Sequence, residues 1–125
     1  MAVFRRHHRI LQAGHFKAVF AHRKRQHGRY FSIHLLPNDV DYHRLGLAVS
    51  RKVSKHAVER NRIKRQVRDA FRHFQLTSSD ETGVKGKLDM VVVAKPAAAG
   101  AEASFLRQEL DKMWTKAVND ANSTD

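Results

Sequence analysis

The chain has no cysteine and only two prolines in 125 residues. Without thiols there are no disulfides and no thiolate metal sites, which fits a reducing compartment such as the cytoplasm. No stretch approaches the ~18 apolar residues that a membrane span requires. The opening run, Met1-Ala-Val-Phe-Arg-Arg-His-His-Arg, lacks the apolar centre of a secretory signal. Acid is also scarce where base is dense. Residues 1–74 hold 18 Lys and Arg against 4 Asp and Glu, together with all nine histidines, whereas residues 75–125 hold 6 against 8. The first three-fifths of the chain therefore carries the charge, and the remainder reads as scaffold.

A formal net charge of +12 on one domain repels itself when compact and draws polyanions from a distance. Nucleic acid is the leading partner class. An anionic membrane surface or bulk compaction of DNA ranks lower, because the best amphipathic helix carries aromatics that a domain core would claim. No internal repeat is visible.

The pattern along the chain alternates helix and strand. Residues 1–12 are basic and weakly patterned and read as an arm. Gly14–Ala21 places Phe16, Val19 and Phe20 at helical spacing. His22–Arg29 is a cationic connection with room for a short strand. Tyr30–Leu36 alternates, with Phe31, Ile33 and Leu35 inward and Tyr30, Ser32 and His34 outward. Pro37–His43 reads as a turn-rich loop. Arg44–Ser50 alternates again, with Leu45, Leu47 and Val49 inward and small residues outward. Thr77–Lys87 reads as a polar loop, Leu88–Ala94 as a central strand rich in β-branched residues, and Glu102–Val118 as an amphipathic helix. Residues 119–125 are expected to fray. The fold class is α+β, a single-domain sandwich of helices on a small sheet.

The densest information lies in Ala57–Phe74. Ile63, Val67, Ala70, Phe71 and Phe74 form one apolar face. Lys64, Arg65, Arg68 and Arg72 point away from it and Arg60 lies near its border. Only Glu59 and Asp69 accompany the six cations of this segment, too few for helix ion pairs to account for them. Arginine presents a planar fork suited to two-point contact with phosphate.

Arg44-Leu-Gly-Leu-Ala-Val-Ser-Arg-Lys52, Ala57-Val58 and Arg60-Asn-Arg-Ile-Lys-Arg65, flanked by Phe16-Lys-Ala-Val-Phe20 and Asp89-Met-Val-Val-Val-Ala-Lys-Pro96, resemble the bacterial ribonuclease P protein component. The resemblance covers residues 9–118. The connection Ser54-Lys55-His56 departs from the family's commoner glycine-containing form. The resemblance implies three helices on a four-stranded sheet in the order αβββαβα, with a left-handed βαβ crossover, like the second domain of ribosomal protein S5. It also implies a function: the protein subunit of the endoribonuclease that removes the 5′ leader from precursor tRNA. In that family the RNA subunit is the catalyst, and its bound Mg²⁺ activates the attacking water.

Carried onto this chain, the resemblance implies RNA-subunit binding by Arg60, Asn61, Arg62, Lys64, Arg65 and Arg68. It places a leader cleft at Phe16, Phe20, Ser32, His34, Ala48, Ser50, Lys52 and Lys95, with Ala94 beside them. By pattern alone Phe16 and Phe20 are core residues; half-buried, they could also stack on bases. The expected partners are the catalytic RNA and precursor tRNA, with no membrane and no required protein partner. No catalytic residue and no protein metal site is expected, since neither a supported Ser/His/Asp set nor a His-Glu-x-x-His pattern is present. The competing reading is a non-catalytic RNA-binding protein of ribosomal type, which would need no leader cleft.

Overall fold

The computed structural model describes residues 13–40, 42–77 and 87–122. The expected basic arm at 1–12, most of the expected loop (78–86), Asp41 and the final three residues lie outside that set.

Helix α1 spans Ala13–Ala21 and is followed by strands β1 (Lys24–His27), β2 (Phe31–Asn38) and β3 (Arg44–Ala48). Helix α2 (Ala57–Thr77) leads to β4 (Lys87–Ala94), a single 3-10 turn at Pro96–Ala98 and helix α3 (Ala103–Asn122). The order is αβββαβα, and the four strands form one sheet in the order β1-β2-β4-β3. β1 and β4 run antiparallel to β2, and β3 runs parallel to β4. β3, α2 and β4 therefore make a βαβ unit whose helix joins two parallel neighbours.

One face of the sheet carries the main core. Phe31, Ile33, Leu35, Leu45, Met90, Val92 and Ala94 meet Ile63, Val67, Ala70 and Phe71 of α2 and Leu106, Leu110, Met113, Trp114 and Ala117 of α3. The alternation of β2 and the 3.6-residue period of both helices put these residues there. Phe74 stacks on Trp114 with ring centroids 5.9 Å apart. α1 lies on the opposite face, packed on β2 and β4. Its fully buried Val19 stands outside the main core, as does Val91.

Several boundaries differ from the sequence reading. β2 continues through Pro37 and Asn38, which pair with Leu88 and Lys87 of β4. Pro37 is tolerated because the pairing of β2 with β1 reaches only from Ser32 to Leu35, so that among the described residues one side of β2 beyond Leu35 has no ladder partner. Tyr30 precedes β2 and packs against the core, so it does not share the outward face with Ser32 and His34. β3 stops at Ala48, and Val49 is only partly buried. α2 gains one turn, through Thr77, where Gln75 Nε2 donates to the His43 carbonyl at 2.9 Å. Residues 119–122, expected to fray, remain helical.

Two connections depend on specific backbone requirements. Arg23 ends α1 with φ of 66°, a left-handed position that glycine usually fills. The β1–β2 turn is capped from a distance. Glu109 of α3 accepts the backbone N–H groups of Arg29, Tyr30 and Phe31 at 2.8, 2.9 and 2.9 Å. A Cβ on Gly28 would lie 2.5 Å from that carboxyl carbon, so glycine allows the close approach.

Candidate nucleic-acid interface

Two cationic surfaces emerge, one on α2 and one between α1 and the sheet. On α2, apolar residues at Ile63, Val67, Ala70 and Phe71 are fully buried, which turns the remaining positions outward. Asn61, Arg65 and Arg68 are exposed, and Lys64 is half-buried. Among the described residues, Lys64, Arg65 and Arg68 form no ion pair, so their charge faces solvent. These three cations and Asn61 make a contiguous stripe on one helix face, at i, i+3, i+4 and i+7.

The other α2 cations are engaged. Arg62 donates Nε to Glu59 Oε1 at 3.1 Å and Nη2 to Oε2 at 2.8 Å. The same Nη2 donates to the Ala101 carbonyl at 3.1 Å. Glu59 Oε2 also accepts the Gly100 N–H at 2.9 Å; Gly100 has φ of 77°, a conformation suited to glycine. These bonds fasten the first turn of α2 to the segment leading into α3. The Arg62 guanidinium and then the Gly100 N–H hold the Glu59 carboxyl down at about 2, from an ordinary 4.5, and Arg62 is raised in turn by Glu59. Arg60 Nη1 donates to the Ser54 carbonyl at 3.0 Å, stabilising the connection into the helix. Arg72 pairs with Asp69 at 3.2 Å. Both acids of α2 are thus used within the helix, each on an arginine three residues later.

On the other face, α1 places Phe16 and Phe20 edge to face, with centroids 6.3 Å apart. Phe16 is half-buried and Phe20 is 42% exposed. The Phe20 ring meets the His34 ring edge-on at 4.6 Å. His34 is shifted below its ordinary 6.5, first by burial and then by the charges of Arg25 and His27. The lowering favours the uncharged ring, and an imidazole beside an aromatic edge is a surface on which a base can rest, with the Arg25 charge close by.

The remaining candidate cleft residues are unequal. Ser32 is only 8% exposed, and its hydroxyl pairs with His27 Nδ1 at 2.9 Å on the same face of the sheet. Ala48 ends β3 half-buried, while Ser50 and Lys52 are exposed in the turn beyond it. There Ser50 Oγ accepts the Lys52 N–H at 3.2 Å. Lys95 follows β4 and directs Nζ to the Gly28 carbonyl at 2.6 Å, which ties its charge to the β1–β2 turn. Ala94 is not on this face. It pairs with Phe31 in the sheet and shares its burial in the main core, because strand parity fixes which side each residue takes.

Two cleft-side residues carried no sequence signal. Arg25 and His27 sit on β1, opposite His34 and Ser32 respectively, and so share their face. At the far end of the same strands Asp89, 3% exposed, accepts two bonds from Arg44 at 2.6 and 2.8 Å and one from Asn38 at 2.7 Å. That network joins β2, β3 and β4. Among the described residues no group of three or more His, Asp and Glu is placed to hold a metal ion, and no helix is long and apolar enough to cross a membrane.

Comparison with known proteins agrees with the fold. Residues 4–118 match the Ribonuclease P family model. The chain is 36% identical over 121 residues to the Ribonuclease P protein component of Nitrosococcus oceani, covering 97% of this chain and 96% of that protein. Identity to the corresponding protein of Chromobacterium violaceum is 43% over 94 residues, 75% of this chain and 72% of the relative. The RNase P protein of Thermotoga maritima superposes with a TM-score of 0.71 at 27% identity, covering 86% of this chain and 96% of that one. The Staphylococcus aureus protein gives 0.74 at 25% identity, with 88% and 94% covered. With the same helices on the same mixed sheet and a match along nearly its whole length, this chain belongs to the bacterial ribonuclease P protein family.

Proposed function

We propose that the chain serves ribonuclease P by docking on the catalytic RNA through the solvent face of α2 and by receiving the 5′ leader of precursor tRNA between α1 and the sheet. Family membership makes it the protein component of an endoribonuclease holoenzyme acting in tRNA 5′ processing. The finer assignment rests on one observation above the rest. The stripe of Lys64, Arg65 and Arg68 carries no ion pair among the described residues, while both acids of the same helix bind other arginines.

The mechanism follows from charge and shape. Cations on a rigid helix neutralise crowded RNA phosphates and release counterions, so binding is strong and salt-dependent. Asn61, at the start of the stripe, can donate and accept at an RNA backbone or base edge. The aromatic edge formed by Phe16, Phe20 and His34 accepts unpaired bases of any sequence, which suits leaders that differ between tRNAs. Lys52 in the β3–α2 connection and the charge of Lys95 near the β1–β2 turn add field at the cleft. No side chain of this protein is assigned a step in hydrolysis; Mg²⁺ held mainly by the RNA supplies the metal chemistry. By adding positive charge where RNA strands converge, the protein lowers the Mg²⁺ the RNA needs. The setting is the cytoplasm.

The test is equilibrium binding of the full chain to a bacterial ribonuclease P RNA across a salt series. Arg65→Ala and Arg68→Ala should each weaken association by about tenfold and reduce the log–log salt slope by about 1. Unchanged affinity in both variants would remove α2 as the docking face.

A further inference from the structure

The leader cleft described above is bounded by α1, β2 and β4, but the register of β1 extends its floor by one strand. β1 is the edge of the sheet. Its residues divide strictly by side. Lys24 and Gln26 stand opposite Leu35 and Ile33, on the core side, where Gln26 Nε2 donates to the Met113 carbonyl at 3.1 Å. Arg25 and His27 stand opposite His34 and Ser32, on the side that carries α1.

Both residues are exposed. Arg25 has no acidic partner among the described residues. His27 uses Nδ1 on the Ser32 hydroxyl at 2.9 Å, which orients the ring and keeps Nε2 out of that bond. The charges of Arg25 and His27 reach His34, the ring that Phe20 meets at 4.6 Å. An aromatic edge and an exposed arginine–histidine pair therefore lie side by side across one strand pair. Such a pairing is what an extended single strand requires, with bases on one track and phosphates on the next. Of the cleft's other cations, Lys95 is held on the Gly28 carbonyl at 2.6 Å, while Lys52 is exposed in the turn beyond β3.

We infer that β1 forms a phosphate-binding lane of the leader cleft, in which Arg25 and His27 bind backbone phosphates of a single-stranded 5′ leader whose bases lie toward Phe20 and His34. The inference rests on the cleft reading. The ligand chemistry is a phosphodiester, and its source could be the leader or the RNA subunit; the experiment separates them.

Holoenzyme is assembled from the full chain and a bacterial ribonuclease P RNA, with Ca²⁺ in place of Mg²⁺. Binding is measured for mature tRNA and for precursors with leaders of roughly 2 and roughly 10 nucleotides, set against the ~4–16 nucleotides that single-strand-binding domains cover. Arg25→Ala should weaken the long-leader precursor about tenfold and lower its salt slope by about 1, with little effect on mature tRNA or on the short leader. Arg25→Lys should restore most of the affinity, since either cation neutralises a phosphate and releases its counterion. Phe20→Ala serves as the control for the cleft itself. If Arg25→Ala weakens all three tRNAs or subunit assembly equally, the phosphates belong to another RNA surface and the leader lane is wrong. If Phe20→Ala weakens the long leader and Arg25→Ala does not, the cleft stands and β1 has no part in it. If neither variant separates precursor from mature tRNA, the cleft reading fails as well.

Discussion

Glu59 binds the Arg62 guanidinium at two points and the Gly100 N–H with the same carboxylate. One carboxylate thereby joins the start of α2 to the approach to α3 and directs Arg62 inward, to the Ala101 carbonyl at 3.1 Å. The cations of this helix thus divide by role. Arg62→Ala and Glu59→Ala should each cost about 1 kcal/mol, as a partly exposed ion pair does, and lower the melting temperature by roughly 3–5 °C. Arg65→Ala and Arg68→Ala should leave melting unchanged. Thermal denaturation monitored by circular dichroism decides the matter; equal melting of all four variants would deny the clamp.

The same pair sets part of the acid response. Glu59 has a folded pKa of about 2 against an ordinary 4.5, so the folded state binds fewer protons in that interval. Its stabilisation is complete above 4.5 and disappears as pH falls toward 2. Glu59→Gln should therefore lower stability at neutral pH and reduce the loss between pH 5 and pH 2, by roughly 1 kcal/mol at most for a partly exposed group. Urea unfolding across that range measures the difference; parallel curves for the two proteins would contradict it.

Glu109 caps the β1–β2 turn from α3, and two of the three N–H groups it satisfies are partly buried. Glu109→Ala leaves them without their acceptor and should destabilise by about 1–3 kcal/mol. Gly28→Ala should destabilise through the same contact, because the new Cβ meets the Glu109 carboxylate. The combined variant should then cost less than the two singles added together. Full additivity in denaturant unfolding would show that the two residues act separately.

Phe16 stands between core and solvent, half-buried beside Phe20. Loss of a base-stacking surface is worth about 1–3 kcal/mol, so Phe16→Ala should weaken holoenzyme binding of precursor tRNA by about 10-fold or more and spare mature tRNA. Equal weakening of both substrates would assign Phe16 to packing alone.

Much of this was legible where periodicity was strong. α2 declares itself by Ile63, Val67, Ala70 and Phe71, and β4 by its unbroken apolar run through Val91–Val93. β1 carries no such mark: Lys-Arg-Gln-His is a polar edge strand, defined by its pairing with β2 and by a carboxylate about 80 residues later in the chain. That is also why Arg25 and His27 were invisible as cleft-side residues. Ala94 was misplaced by one step of strand parity, which only the pairing with Phe31 fixes. The division of Arg62 and Arg72 from Arg65 and Arg68 depends on which arginine each acid of α2 reaches, and charge counting does not decide it.

The most direct measurement of the central claim is cleavage of 5′-labelled precursor tRNA at low Mg²⁺ by the protein alone, by a bacterial ribonuclease P RNA alone, and by the two together. The account predicts cutting at the mature 5′ end only by the mixture. Cutting by the protein alone would place catalysis in this chain and contradict the account, and an inactive mixture despite protein–RNA binding would favour a purely structural RNA binder.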